Sequence, residues 1–413
     1  MFRFYLGLTA KNLWRQKRRT FLTAGAIAIG IMYFIVFDSL LSGADREAVD
    51  NMIDFETGHV QVVSAAASQD RRPRPEELLP DGGDLAREIS ALPRVKAATP
   101  RLTFPASVIV GLEELPILGV GVDPDLDARV FRIPEHVTAG RWLRPGEEGV
   151  VLGKRIADLL ELEPGDMLTI RTQTVGMAFQ AVDLTVLGIV STPHPSVNQA
   201  HVFLPLDVAQ AALGAGSGAT MVAVRAESER DIAGIADSIR GLGMWDAVWE
   251  IKPWREAATF LAIGAGKRSL GMVFLGLVLV IATIGVVNSI LLSTLERVRE
   301  IGILKAMGMN EANITRLFVL EGCGLGILGG VLGAIMAIGA NAYLVNVGIN
   351  LEMFMGEMDI DIGYPIAQRM FGAWNWPTLF GAIAFGVVVA LAASYFPAKR
   401  AAHLDPVESL RRV

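Results

Sequence analysis

Four apolar segments dominate the sequence: Thr20–Leu41, Leu270–Leu292, Leu317–Val347 and Thr378–Phe396. Each is close to or above the length of about 20 residues that an α-helix needs to cross a bilayer. Composition agrees, since 52% of the residues are apolar, 19% are charged and the mean hydropathy is +0.43, too apolar for an ordinary soluble enzyme. The first segment exceeds the apolar core of a signal peptide, and no small-residue cleavage site follows it, so it is expected to remain as an anchor.

Orientation follows from basic residues in the short flanks. Arg3, Lys11, Arg15, Lys17, Arg18 and Arg19 precede the first segment with no acidic residue among them. The tail carries Lys399, Arg400, Arg411 and Arg412, whereas Glu352, Glu357, Asp359 and Asp361 outnumber Arg369 between the last two segments. Both termini are therefore expected in the cytoplasm, although Lys267 and Arg268 would then face outside. The expected fold class is a membrane protein with four transmembrane α-helices and a large α+β extracytoplasmic domain between helices 1 and 2. The map runs 1–19 basic flank and elbow helix, 20–41 first span, 42–269 outer domain, 270–295 second span, 296–316 cytoplasmic helix, 317–347 third span, 348–376 outer loop, 377–397 fourth span and 398–413 tail.

The stretch between the first two spans has the length of one or two folded domains. Alternating runs at His59–Ala65, Leu115–Val122, Met167–Arg171, Val182–Val190 and Thr220–Val224 predict strands. Asp84–Ala91, Gly153–Leu160, Leu206–Leu213 and Arg230–Gly241 predict short helices. Gln69–Gly83 is expected as a loop, and the Pro- and Gly-rich region Asp123–Gly149 as a seam between two subdomains. No catalytic constellation stands out. The sequence has one cysteine, Cys323, five scattered histidines without metal-ligand spacing, no GxxxxGK[ST] phosphate loop and no GxSxG elbow. His194, between two prolines, is expected to stiffen a surface turn.

The informative segment is Glu296–Arg316. Val298, Ile301 and Leu304 recur at helical spacing among Arg297, Arg299, Glu300 and Lys305, which predicts a short amphipathic helix at the membrane surface. Gly308 suits a left-handed C-terminal cap, and Asn310 with Glu311 suits the start of the next helix. Beyond it Gly322, Gly326 and Gly330 fall at intervals of four, as do Gly329 and Gly333. This small-residue face lets helix backbones approach closely, within one subunit or across a dimer. Glu321, just inside the membrane, either snorkels or pairs with Arg316 or Lys305. The Met353, Met355 and Met358 cluster gives the outer loop an adaptable apolar surface.

The run ERVREIGILKAMGMNEANITRLFVLEG, the glycine-rich helix after it and the tail SYFPAKRAAHLDPVESLR resemble the FtsX-like ABC permeases, which include the lipoprotein-releasing LolC/LolE type and the MacB type. NLWRQKRRTFLTAGAIAIG and GVVLGKRIADLLELEPGDMLTI resemble them also. The resemblance implies a permease subunit of an ATP-driven export or extraction complex that works by mechanotransmission. A separate ATPase dimer, which would bind the ATP and Mg, drives helix movements that reshape the outer domains; the chain itself would hold no cofactor and would not be an enzyme. The resemblance places the ATPase contact on Glu296, Arg299, Glu300, Leu304, Lys305, Met307 and Gly308. It implies a second permease copy or paralogue as partner, and lipoproteins, other amphipathic substrates or a periplasmic adaptor or carrier outside. Because the sequence opens with its basic flank, the separate-subunit arrangement of the lipoprotein-releasing type is expected, and not the fused ATPase domain of the MacB type. A non-transporting transducer that activates a cell-wall hydrolase is the alternative, and nucleic acid is not expected as a partner.

Overall fold

The computed structural model describes residues 17–65, 78–243, 248–257, 298–350 and 369–403, with isolated positions among 7–15, at 246 and among 271–291. It divides into two compact units, one of residues 1–46, 265–354 and 369–413, the other of 47–264 with 355–368.

In the first unit, three helices among the described residues are long and apolar enough to cross a membrane. Helix α1 is Lys17–Met52. It does not stop at Leu41, where the hydropathy falls, because 42–52 lacks proline and is mostly compatible with a helix; the fall marks the edge of an apolar layer and not a helix end. A π-helical turn, Ile53–Thr57, follows and is closed by Gly58 at φ 67, whose N–H donates to the Ile53 carbonyl at 3.2 Å. The second predicted span, 270–295, lies for the most part outside the described residues, as does the methionine-rich loop at 351–362.

The helix that carries the third predicted span begins at Glu311, ahead of the apolar run. Helices α2 to α8 (Gly82–Ser90, Pro124–Val130, Lys154–Leu159, Pro195–Ala200, Leu206–Leu213, Ile232–Arg240 and Trp254–Ala257) belong to the second unit. The short helix α9 (Val298–Ala306) precedes α10 (Glu311–Asn346), and α11 (Trp376–Ala402) corresponds to the fourth predicted span. The three long helices share a core of small and branched residues, among them Ile27, Ile31, Ile35, Ala334, Ala337, Ala382 and Ala390.

The glycines of α10 face two neighbours in the same chain. A Cβ at Gly326 would stand 2.9 Å from Ala390 Cβ and one at Gly330 3.1 Å from Ile383 Cγ2, both on α11, and Gly322 meets Ser394 and Ala390 there. On the other side a Cβ at Gly329 would come 2.9 Å from the Ala24 carbonyl oxygen, and one at Gly333 2.7 Å from that of Ala28, both on α1. Close backbone approach thus occurs between helices of one subunit, where dispersion across the seam replaces the hydrophobic effect.

The second unit is an α+β domain built on a ten-stranded sheet in the order β10-β1-β9-β2-β3-β8-β5-β7-β4, with β6 pairing β2 and β7. The strands are β1 Val60–Ser64, β2 Val95–Val110, β3 Glu113–Val122, β4 Val137–Gly140, β5 Gly149–Gly153, β6 Met167–Gln173, β7 Phe179–Val190, β8 His201–Pro205, β9 Met221–Ala226 and β10 Trp249–Pro253. Because β6 joins β2 and β7, the path β2-β3-β8-β5-β7-β6 closes on itself, and Leu102, Phe104, Val108, Leu152, Leu168 and Leu184 are buried in one core cluster. The 123–149 region, expected as a seam, holds structure of its own. Asp123 caps a helix at Pro124–Val130 through bonds from the Asp125 and Leu126 amides, and Phe131, Ile133 and Leu143 are buried in the core with Val122 and Val151.

His194 also departs from expectation. Thr192 N–H donates to Asn198 Oδ1 at 2.8 Å and Asn198 Nδ2 returns a bond to the Thr192 carbonyl at 2.7 Å, closing a turn that points the ring inward. The imidazole is buried with Nε2 3.0 Å from Glu56 Oε2. Burial pushes His201 down to about 4, opposed by the Glu56 carboxylate. His59 is also pushed down to about 4 by burial, helped by Arg225.

Candidate functional site

The segment around α9 gathers most of the residues singled out from sequence. Its helix is short, so its stability comes from packing and caps more than from propensity. Ile301 is fully buried with Ile314 and Phe318 of α10 and with Ala398 and Ala402 of α11, so one apolar face of α9 is wedged at the feet of two spans. The helix then stops in a Schellman arrangement: Gly308 sits at φ 90, its N–H donates to the Lys305 carbonyl at 2.9 Å, and the Met309 N–H donates to the Leu304 carbonyl at 3.0 Å. Met309, the residue after the cap, packs on the same apolar cluster and holds the turn against the spans. Asn310 has extended dihedrals and its Oδ1 accepts from the Asn313 amide at 2.9 Å, which satisfies an otherwise orphaned donor at the start of α10.

Charges hold the same unit together. Lys305 Nζ lies 3.2 Å from Glu311 Oε1 and donates to the Ala402 carbonyl at 2.7 Å, while His403 Nδ1 lies 2.5 Å from Glu311 Oε2. A cation at the C-terminal carbonyls of α11 is favoured by the helix dipole. Arg15 Nη2 donates to Glu300 Oε1 at 2.6 Å. Lys305 is thus turned inward, Glu300 and Leu304 are half-buried, and the outward positions are Ile303 and Met307, 47% and 78% exposed. Glu296 and the Arg299 side chain lie outside the described residues. No motif marks Ile303 or the foot of α11, but Ile303 lies about 200° around the helix from the buried Ile301 and so falls on the free side.

A capped short helix wedged against long apolar helices, with a separate α+β unit, is the architecture of a polytopic membrane protein. Residues 20–242 match the model of the MacB-like periplasmic core domain, and residues 272–406 match the FtsX-like permease C-terminal model. The chain belongs to the FtsX-like ABC permease family, of the LolC and MacB type.

An ABC transporter permease of Methanocaldococcus jannaschii is 24% identical over 67% of this chain and 65% of its own length. The pyoverdine export ATP-binding/permease protein PvdT of Pseudomonas syringae pv. syringae is 25% identical over 96% of this chain and 58% of its own. The chain therefore spans less than two thirds of either. The lipoprotein-releasing system transmembrane protein LolC of Xylella fastidiosa is 22% identical over 93% of this chain and 92% of its own. Among solved structures, the periplasmic region of MacB from Actinobacillus actinomycetemcomitans covers 52% of this chain and 97% of its own length, at a TM-score of 0.37 and 15% identity.

Proposed function

We propose that the chain is the permease subunit of an ATP-driven export or extraction complex in a bacterial inner membrane, with both termini cytoplasmic. It passes the motion of a partner ATPase dimer through α9 to its spans and α+β domain, and acts on lipoproteins or other amphipathic substrates. The observation that carries this is the wedge of α9: fixed by Ile301, by the Gly308 cap and by Lys305 on Ala402, it turns Ile303 and Met307 away from the bundle. A push on that free face transmits to the ends of α10 and α11 together, because one apolar cluster joins all three. ATP and Mg belong to the partner.

The test is a charge on the free face. Met307→Glu leaves the buried side of α9 intact and places a carboxylate where an apolar contact with the ATPase is proposed, at a desolvation cost of about 1–3 kcal/mol or more if the site is covered. The ATPase that copurifies with the full chain is expected to be lost or to fall at least fivefold in stimulated hydrolysis. Unchanged copurification and hydrolysis would show that this face does not meet the ATPase.

A further inference from the structure

Asp38 of α1 is 2% exposed inside an apolar segment, and among the described residues its carboxylate has a single partner, Asn375 Nδ2 at 2.9 Å from Oδ2. A carboxylate carries about four acceptor sites, so most of its capacity is unused. Beside it Ser39 Oγ donates to Asn341 Oδ1, and both residues are 2% exposed. These groups line a recess of about 10 Å³, whose wall is completed by Trp374 and Trp376, stacked at 5.4 Å with their ring planes 9° apart. The indoles and Ile338, each at least 40% exposed, form its mouth.

The place is as informative as the lining. Asp38 lies late in the apolar part of α1, Asn341 in the last turns of α10, and Asn375 immediately before α11. Asn341 and Asn375 are at helix ends and Asp38 is near the end of the apolar part of α1, all remote along their helices from the basic flank and from α9. Stacked tryptophans at such an end mark the headgroup level of a bilayer. An ionisable group buried there is costly unless a countercharge reaches it, and an amide donor supplies only a dipole.

We propose that this recess binds the primary ammonium of a phospholipid headgroup, as in phosphatidylethanolamine. The ammonium donates to Asp38 and to the amide and hydroxyl oxygens beside it, and lies within reach of the indole faces, which attract cations. Size decides between headgroups. A void of this volume holds about one water-sized group, which suits –NH3+ and excludes a trimethylammonium. The site concerns the lipid around the subunit and goes beyond the proposed coupling to an ATPase.

The experiment is native mass spectrometry of the full chain in detergent, titrated with dioleoyl phosphatidylethanolamine, phosphatidylcholine and phosphatidylglycerol, with free ethanolamine as a further arm. One ethanolamine lipid is expected to bind at least tenfold more tightly than either other lipid, and Asp38→Asn is expected to abolish that preference. Equal binding of the ethanolamine and choline lipids by the unmodified chain overturns the proposal without reference to any variant. So does a preference that survives in a folded Asp38→Asn protein. Free ethanolamine that binds as tightly as the lipid overturns the lipid assignment.

Discussion

Arg101 and Asp127 form a closed ion pair inside the α+β domain: Nε donates to Oδ1 at 2.7 Å and Nη2 to Oδ2 at 3.0 Å, with the two side chains 5% and 0% exposed. The Arg101 guanidinium carbon also stands 3.3 Å from the centre of the Phe131 ring, so both its edge and its face are occupied. The pair ties β2 to the helix Pro124–Val130.

Removing one partner strands a buried charge. Arg101→Met is therefore expected to destabilise the domain by about 3–5 kcal/mol, whereas Arg101→Met combined with Asp127→Leu recovers most of the loss because neither charge remains. Denaturant titration of the full chain in detergent, followed by the tryptophan signal, measures both. A double variant no better than the single one would show that the pair contributes through its geometry and not through charge compensation.

Much of this architecture was legible in the sequence because the governing signals are local. The strands around His59–Ala65 and Val182–Val190 and the helix at Leu206–Leu213 follow from alternation and periodicity, and the Gly308–Asn310 break from cap chemistry. What escaped depends on long-range contact. β8 and β5 are short, fully buried runs without alternation, as central strands are. Histidines 59, 194 and 201 look scattered because only the folded sheet and the Ile53–Thr57 turn bury them among Asp54, Glu56, Arg101 and Arg225. The inward turn of Lys305 needed the Ala402 carbonyl, which comes from the far end of the chain.

Those histidines give the domain a predictable pH response. His59 and His201 sit at about 4 in the folded chain against 6.5 when unperturbed, so the unfolded chain takes up their protons first as pH falls. The stability tied to keeping them neutral is fully present above 6.5 and is lost progressively as pH falls toward 4. Melting curves at pH 7, 6 and 5 are expected to fall steadily, and His201→Gln is expected to flatten the slope by up to about 1.4 kcal/mol per pH unit. A variant with the parent's slope would assign the pH response to other groups.

Gly308 offers the sharpest test of whether a fixed α9 is needed for coupling. Its φ of 90 lies in the positive-φ region, which most residues with a Cβ enter only with strain, yet a Cβ there would meet nothing within 4 Å. A substitution at this position thus acts through backbone torsion and not through collision with a neighbour. A β-branched residue is strained by on the order of 1–2 kcal/mol in the left-handed region, whereas asparagine visits that region readily. Gly308→Val is expected to unwind or extend α9, drawing Met309 off the Ile301–Phe318 cluster and shifting Lys305 from Ala402. Substrate released per ATP in reconstituted membranes should then fall severalfold, while the protein still inserts. Gly308→Asn keeps the Schellman bonds and is expected to remain within a factor of two of the parent. Because both variants add a side chain into open space and differ chiefly in torsional preference, equal release per ATP in the two would mean that the cap, and with it the fixed angle of α9, is not what transmits the stroke.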